Sequence, residues 1–138
     1  MCGLLDVAVL VLVVLLLLLW RFDPDQRRFR RFDSQLANRE PLPDAELVAR
    51  FFATDSVPPK IPPQVRLLFA SHMGYPAEKL LADDDFALLW AELDLVELIE
   101  ELESGFSIDL SNSDVERTPF TIRAVSLLVA SKVGRSAT

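Results

Sequence analysis

The feature that most constrains this chain is an unbroken apolar run close to its beginning, where residues 7–20 read VAVLVLVVLLLLLW. With Leu4 and Leu5, and interrupted only by Asp6, the run gives an apolar span of about 17 residues, the shortest that crosses a bilayer as a helix. A helix that is apolar on every side needs lipid or a larger protein around all of it. We therefore predict a transmembrane anchor over residues 1–20.

The residues that flank this run distinguish an anchor from a cleaved signal peptide. A signal peptide begins with a basic segment and ends at a small-residue cleavage site. Here Asp6 precedes the run, no Lys or Arg does, and the bulky residues Trp20, Arg21 and Phe22 end it. A buried core helix is the other alternative, but a chain of 138 residues supplies too little protein to surround one. An uncleaved anchor is favoured.

Arginine and phenylalanine dominate the segment that follows the run. By the positive-inside rule, the arginines predict a single-pass membrane protein with a cytoplasmic C-terminal domain. Residues 21–43 are expected to be a basic juxtamembrane linker that Pro41 and Pro43 end. Its arginines can engage anionic headgroups, which makes membrane lipid an expected partner of residues 4–32, and an ordinary stop-transfer flank is the alternative. The side chains concerned are Arg21, Arg27, Arg28, Arg30, Arg31, Phe22, Phe29 and Phe32.

Charge is divided unevenly along the chain. Residues 1–43 contain six arginines and five acidic residues, a net charge of +1, whereas residues 44–138 contain 8 basic and 16 acidic residues, a net charge of −8. Nucleic acid is an unsuitable partner because phosphate contacts need clustered Lys or Arg. The acidic body is instead complementary to a basic protein surface.

The residue types that perform most enzyme chemistry are scarce in this sequence. Cys2 is the only cysteine and His72 the only histidine, so no disulfide within the chain and no cysteine-based metal site can form. The four glycines form no phosphate-binding loop. The acidic run at residues 83–85 lacks the glycine and the terminal Glu of an EF-hand and is predicted to be a solvated loop. We predict no catalytic residue, metal site or cofactor, and therefore a protein that is not an enzyme.

Residues 44–138 are predicted to form one helical domain without strands. Thr118 and Pro119 are expected to cap and begin its last helix. The apolar residues of the loop that follows Gly74 are expected to pack onto the core. The predicted helices cover residues 43–52, 63–73, 90–106 and 118–133, with a short helical turn at 113–117.

The helix at 90–106, WAELDLVELIEELESGF, has two faces of opposite character. At 100° per residue, its apolar residues fall within one sector and its acidic residues within the other. Such a helix can pack on a core and present carboxylates to a basic partner. The apolar sector contains Leu95, Leu98, Ile99 and Leu102, and the acidic sector contains Asp94, Glu97, Glu100 and Glu101.

From Val65 to Val133 the pattern resembles that of an acyl carrier protein. The strings LDLVEL at 93–98 and LESGFSI at 102–108 are typical of that family, and the short acidic turn and last helix follow in the family's order. The resemblance implies an all-α fold: an acyl-carrier-protein-like four-helix bundle, here with an extra helix at 43–52 and a single transmembrane helix before it.

The sequence departs from the family where the prosthetic group is attached. Carriers of this family have Asp-Ser-Leu at the start of the second helix, and the serine hydroxyl accepts 4′-phosphopantetheine. Ala91, Glu92 and Leu93 stand there in this chain, and a carboxylate cannot form the ordinary phosphodiester. The resemblance thus implies the fold without the cofactor. Glu92 is explained either by the helix dipole, which favours an acid at a helix N-terminus, or as a mimic of the missing phosphate.

In carriers, acids and a few apolar residues around the second helix bind partner enzymes. The resemblance therefore implies a partner-binding face, although Glu100 stands where many carriers have an apolar contact residue, and a merely solvated acidic face is the alternative. The residues of this face are Leu93, Asp94, Val96, Glu97, Glu100 and Glu101.

Three functions agree with this sequence. The leading hypothesis is a membrane-anchored, acyl-carrier-like protein-binding or accessory module without a phosphopantetheine arm. The second is a genuine membrane-tethered carrier of an acyl or related intermediate through an unusual attachment. The third is a structural subunit of a larger membrane complex, which would bind other subunits through the anchor.

Overall fold

The computed structural model describes residues 2–21, 24–87 and 95–136, and this part of the chain contains seven α-helices and no strand. The all-helical fold class predicted from the sequence is therefore confirmed. The chain divides into two compact units, residues 1–37 and 38–138. The helices are α1 (Cys2–Arg21), α2 (Pro24–Asn38), α3 (Asp44–Phe51), α4 (Ile61–Met73), α5 (Leu95–Phe106), α6 (Asn112–Arg117) and α7 (Ile122–Ser136), and a short 3-10 helix lies at Ala77–Lys79.

Helix α1 is long and apolar enough to cross a membrane, as the sequence predicts. Its 20 residues span about 30 Å, the thickness of the hydrocarbon core. None of its apolar span from Gly3 to Arg21 is buried within the protein. This exposed apolar surface therefore requires cover from outside the chain.

Helix α2 occupies much of the segment predicted to be a linker. Phe32 and Leu36 are four residues apart, so they lie on one side of the helix; Phe32 is half-buried and Leu36 is buried. Arg27, Arg30 and Arg31 are exposed on the other side. The Arg and Phe residues of the predicted juxtamembrane segment thus have a helical spacing from Pro24 to Asn38.

The core of the second unit lies mainly between α4 and α7, and α4 also packs on α3 and α5. Val65 and Phe69 of α4 and Ile122 and Val129 of α7 are completely buried. The two residues of α4 are four positions apart and those of α7 are seven positions apart, so both pairs lie on one side of their helix. Each helix therefore presents one apolar side to the other.

The loop between α4 and α5 contributes to this core, as the sequence predicts. Leu80, Ala82 and Phe86 are completely buried, and the ring of Phe86 stacks on that of Phe69 with 5.0 Å between centroids. Residues 88–94 lie outside the described part of the chain. Helix α5 is therefore described from Leu95 onward. The start predicted for this helix, at Trp90, lies outside the described residues.

Helix α7 begins later than the sequence predicts. The hydroxyl of Thr118, the residue that follows α6, donates to the carbonyl oxygen of Asp114 in that helix over 2.6 Å and so does not cap α7. Thr121 takes that place, because its hydroxyl accepts the Ala124 amide over 3.0 Å. Two residues suited to an N-cap lie close together, and sequence alone does not choose between them.

Candidate functional site

Helix α5 separates an inward side from an outward side, as its sequence pattern predicts. Leu98 and Leu102 are buried in the core. Val96, Glu97 and Glu100 are exposed on the other side, and 65% of Val96 is accessible to solvent. These three residues, which we call the α5 docking face, combine one apolar side chain with two carboxylates.

The residues predicted to bind a partner do not all belong to this face. Val96, Glu97 and Glu100 come together on it, whereas Glu101 is half-buried beside α4. The predicted residues Leu93 and Asp94 lie outside the described part of the chain. Glu92, which stands where carriers have their serine, lies there as well.

Glu101 is held by the only histidine of the chain. The Oε2 atom of Glu101 lies 2.9 Å from Nε2 of His72, and the His72 side chain is 11% exposed. This contact joins α5 to α4 on the flank of the docking face. Glu101 therefore positions the helix, and Glu97 and Glu100 remain the carboxylates directed outward.

A shallow acidic depression lies beside the C-terminal end of α5. Helix α5 ends at Phe106. The next residue, Ser107, has a left-handed φ of 54°, and the Ile108 amide donates to the Glu103 carbonyl oxygen over 3.1 Å. The Glu103 carboxylate accepts the Leu110 amide over 3.1 Å and holds the turn closed. Glu100 and Asp109 also line this depression, which extends the acidic surface from the docking face.

A small apolar cavity lies behind α5, in the interior of the domain. Its volume is about 30 Å³, and side chains of α4, α5, α6 and α7 line it. Leu95 and Ile99, two residues of the predicted apolar sector, are among them. The cavity is small, so a long acyl chain would have to expand it.

Arg123 joins three separate parts of the second unit. Its Nε and Nη2 atoms donate to the Asp83 carboxylate over 2.7 and 3.0 Å, and Nη1 donates to Asp55 over 2.8 Å and to the Phe51 carbonyl oxygen. The guanidinium also lies over the Phe52 ring, 5.4 Å from its centroid. The hydrogen bond to Arg123 lowers the pKa of Asp83, and the hydrogen bond to Asp83 raises that of Arg123.

Arg39 binds the next aspartate of the same acidic run. Its guanidinium donates to both oxygens of the Asp84 carboxylate, whose side chain is only 9% exposed. The predicted solvated loop at residues 83–85 agrees with the exposure of Asp83 and Asp85, whereas Asp84 departs from it because Arg39 binds its poorly exposed carboxylate. Among the described residues, no group of three or more His, Cys, Asp or Glu side chains is placed to hold a metal ion.

A third arginine, Arg66, is completely buried in α4. Its Nη1 atom donates to the Leu42 carbonyl oxygen over 2.7 Å and lies 3.3 Å from the Asp44 carboxylate. Its Nε and Nη2 atoms are buried without a hydrogen-bond partner. Burial lowers the pKa of Arg66, although Asp44 partly opposes that effect.

No protein family model matches this chain, and no solved structure matches it significantly. The local arrangement of charge and apolar surface is therefore the main basis for assigning a function.

Proposed function

We propose that this protein is a membrane-anchored, acyl-carrier-like module that binds a basic protein surface through the α5 docking face and has no phosphopantetheine arm. The observation that carries the proposal is the exposure of Val96 beside Glu97 and Glu100, on the side of α5 opposite the buried residues Leu98 and Leu102.

The chemistry of the docking face suits a partner with basic groups beside an apolar contact. Exposed ion pairs contribute about 0–1 kcal/mol each, so Glu97 and Glu100 mainly steer and orient a partner. Val96 supplies apolar area that binding can remove from water. The net charge of −8 over residues 44–138 adds a long-range attraction for a basic surface.

The anchor supplies the location in this proposal. Helix α1 matches the thickness of the hydrocarbon core, and the arginines that follow it favour a cytoplasmic position for the second unit. A partner would then be recruited to the membrane surface, where diffusion in two dimensions and the tether raise its effective concentration.

The likeness to acyl carriers rests on the order of α4, α5, α6 and α7 and on the motifs around α5. Glu92 is the reason to propose a carrier-like fold that no longer holds a carrier's prosthetic group. Accessory binding is a function that such a domain can keep without the arm, because it needs only the surface of α5.

Charge reversal on the docking face tests this function. With Glu97→Lys and Glu100→Lys in the full chain, the amount of partner protein that co-purifies from its native membranes should fall at least tenfold. The variant itself should remain in the membrane fraction. Glu46→Lys with Glu116→Lys is the matched control, since it reverses two exposed acids of the same unit outside α5. Equal loss in both variants would contradict the proposal.

The exposure of α1 supports a second candidate, a structural subunit whose anchor packs against other transmembrane helices. In that case both charge-reversal variants should keep their partners, because the apolar surface of α1 forms the contact. Replacement of α1 by an unrelated transmembrane helix should then release the partners. The docking function predicts that this replacement keeps them.

A genuine carrier of acyl intermediates receives less support from the structure. The interior cavity of about 30 Å³ does not accommodate a long chain as it stands. A covalently attached intermediate on the protein purified from its native membranes would restore this third function.

A further inference from the structure

We infer that the arginine side of α2 binds the headgroups of anionic lipids in the leaflet that α1 enters. This inference rests on the proposed membrane anchorage and deepens it. Arg27, Arg30 and Arg31 stand three and four residues apart, so they form one cluster along the helix, and all three are exposed. Phe32 and Leu36 take the opposite, covered side. The side of α2 that remains for lipid is therefore cationic.

Chain connectivity places this cluster close to the membrane surface. Helix α1 ends at Arg21 and α2 begins at Pro24, so at most about 11 Å of chain separates them. If the apolar part of α1 fills the hydrocarbon core, Arg21 lies at its edge and the first turns of α2 lie within reach of the headgroup layer. At physiological ionic strength, the negative potential of an anionic leaflet extends over about 8 Å.

Charge and side-chain contacts favour the phosphate of a headgroup with a net negative charge as the occupant. Helix α2 contains four arginines and two aspartates. Among the residues whose side chains the structure describes, none forms an ion pair with Arg30 or Arg31. Guanidinium groups bind phosphate oxygens through paired hydrogen bonds, and a leaflet offers these phosphates at the depth that α1 sets.

Hydrogen exchange on the full chain in vesicles tests the inference. The protein is reconstituted in phosphatidylcholine alone and in an equimolar mixture of phosphatidylcholine and phosphatidylserine, and amide exchange is followed across α2. We expect exchange in the anionic vesicles to be slower by about fivefold for each arginine engaged. Raising NaCl to about 1 M shortens the screening length to about 3 Å and should remove the difference.

Two variants with equal changes in charge separate lipid binding from net charge. Replacement of Arg27, Arg30 and Arg31 by Gln should abolish the difference between the vesicles. Replacement of Arg50, Lys60 and Arg117 by Gln removes the same charge from exposed positions of the second unit. This control variant should keep the difference in exchange between the vesicles. Equal exchange of α2 in the two vesicles, whether fast or slow, would overturn the inference.

Resistance of the chain to alkaline extraction distinguishes failure of the inference from failure of the proposed anchorage. A chain that resists extraction but exchanges α2 equally in both vesicles contradicts lipid binding by α2 alone. Release of the chain from the vesicles by alkali would contradict the membrane anchor. It would also contradict the lipid inference, which depends on that anchor.

Discussion

Arg39 and Asp84 lie 45 positions apart in the sequence and form a bidentate ion pair, in which Nη1 and Nη2 donate to the two carboxylate oxygens over 2.6 and 2.8 Å. Beside it, the Leu42 amide donates to the Glu78 carbonyl oxygen over 2.7 Å. The segment that follows α2 is thus bound to the loop after α4. Residues 39–42 therefore belong to the second compact unit.

Loss of Arg39 should measurably destabilise the second unit. Arg39→Gln leaves the poorly exposed Asp84 carboxylate without its cation, which should lower the free energy of unfolding by about 1–3 kcal/mol. Arg50→Gln is the control: the Arg50–Glu46 pair is exposed and 3.6 Å apart, so its loss should cost less than about 0.5 kcal/mol. Urea unfolding of the full chain in detergent, followed by circular dichroism, measures both, and equal losses would refute the assignment.

Arg123 and Arg66 should respond differently to replacement by Met. Arg123→Met removes hydrogen bonds from all three guanidinium nitrogens and leaves Asp55 and Asp83 without a cation, so it should cost about 2–3 kcal/mol. Arg66→Met removes a buried guanidinium with two unpartnered nitrogens, and it should change stability by less than about 1 kcal/mol. The same urea measurement compares them. A larger loss for Arg66→Met would show that its buried charge is better compensated than its contacts indicate.

Asp114 should make the fold sensitive to acid. A hydrogen bond from Lys132 and further bonds from Ser111 lower the pKa of Asp114 from 3.8 to about 2. Because the folded state has the lower pKa, the unfolded chain binds the proton more readily. This contribution to stability is present above about pH 4 and is lost as the pH falls towards 2.

Thermal unfolding between pH 5 and pH 2 measures this effect. Asp114→Asn should flatten part of the decline in melting temperature, and Asp109→Asn, which changes an exposed acid, should leave the decline as it is. An unchanged profile in Asp114→Asn would contradict the role assigned to the Lys132 contact.

The loss of the prosthetic-group site, which the resemblance to acyl carriers implies, can be tested by restoring the family's attachment residues. The unaltered chain should keep the mass of the polypeptide after incubation with coenzyme A and a phosphopantetheinyl transferase. Ala91→Asp with Glu92→Ser should gain one phosphopantetheine group, since it recreates the family's Asp-Ser-Leu before the same helix. Ala91→Asp alone is the control without an acceptor hydroxyl. Intact-mass spectrometry distinguishes these results, and modification of the unaltered chain would contradict the proposed loss of the arm.

The parts of the fold that depend on short-range spacing could be predicted from the sequence. The inward and outward sides of α5 follow from the period of the helix, and so does the exposure of Val96, Glu97 and Glu100. The length of α1 follows directly from its apolar run. These features depend on residues within a few turns of one another.

The parts that depend on distant partners could not be predicted. Arg123 meets Asp55 and Asp83 across 68 and 40 positions, and His72 meets Glu101 across 29. Nothing in the local sequence distinguishes these side chains from solvated ones. The contact of Glu101 with α4 gives it a positioning role that its local sequence does not indicate.

Photo-crosslinking from Val96 tests the central claim most directly. A photoreactive residue at Val96, 65% exposed on α5, is compared with one at Leu67, 61% exposed on α4, in the full chain within its native membranes. Binding through the docking face predicts a discrete protein adduct from Val96 that Glu97→Lys with Glu100→Lys abolishes, and none from Leu67. No adduct from Val96, or the same adduct from both positions, would contradict the account.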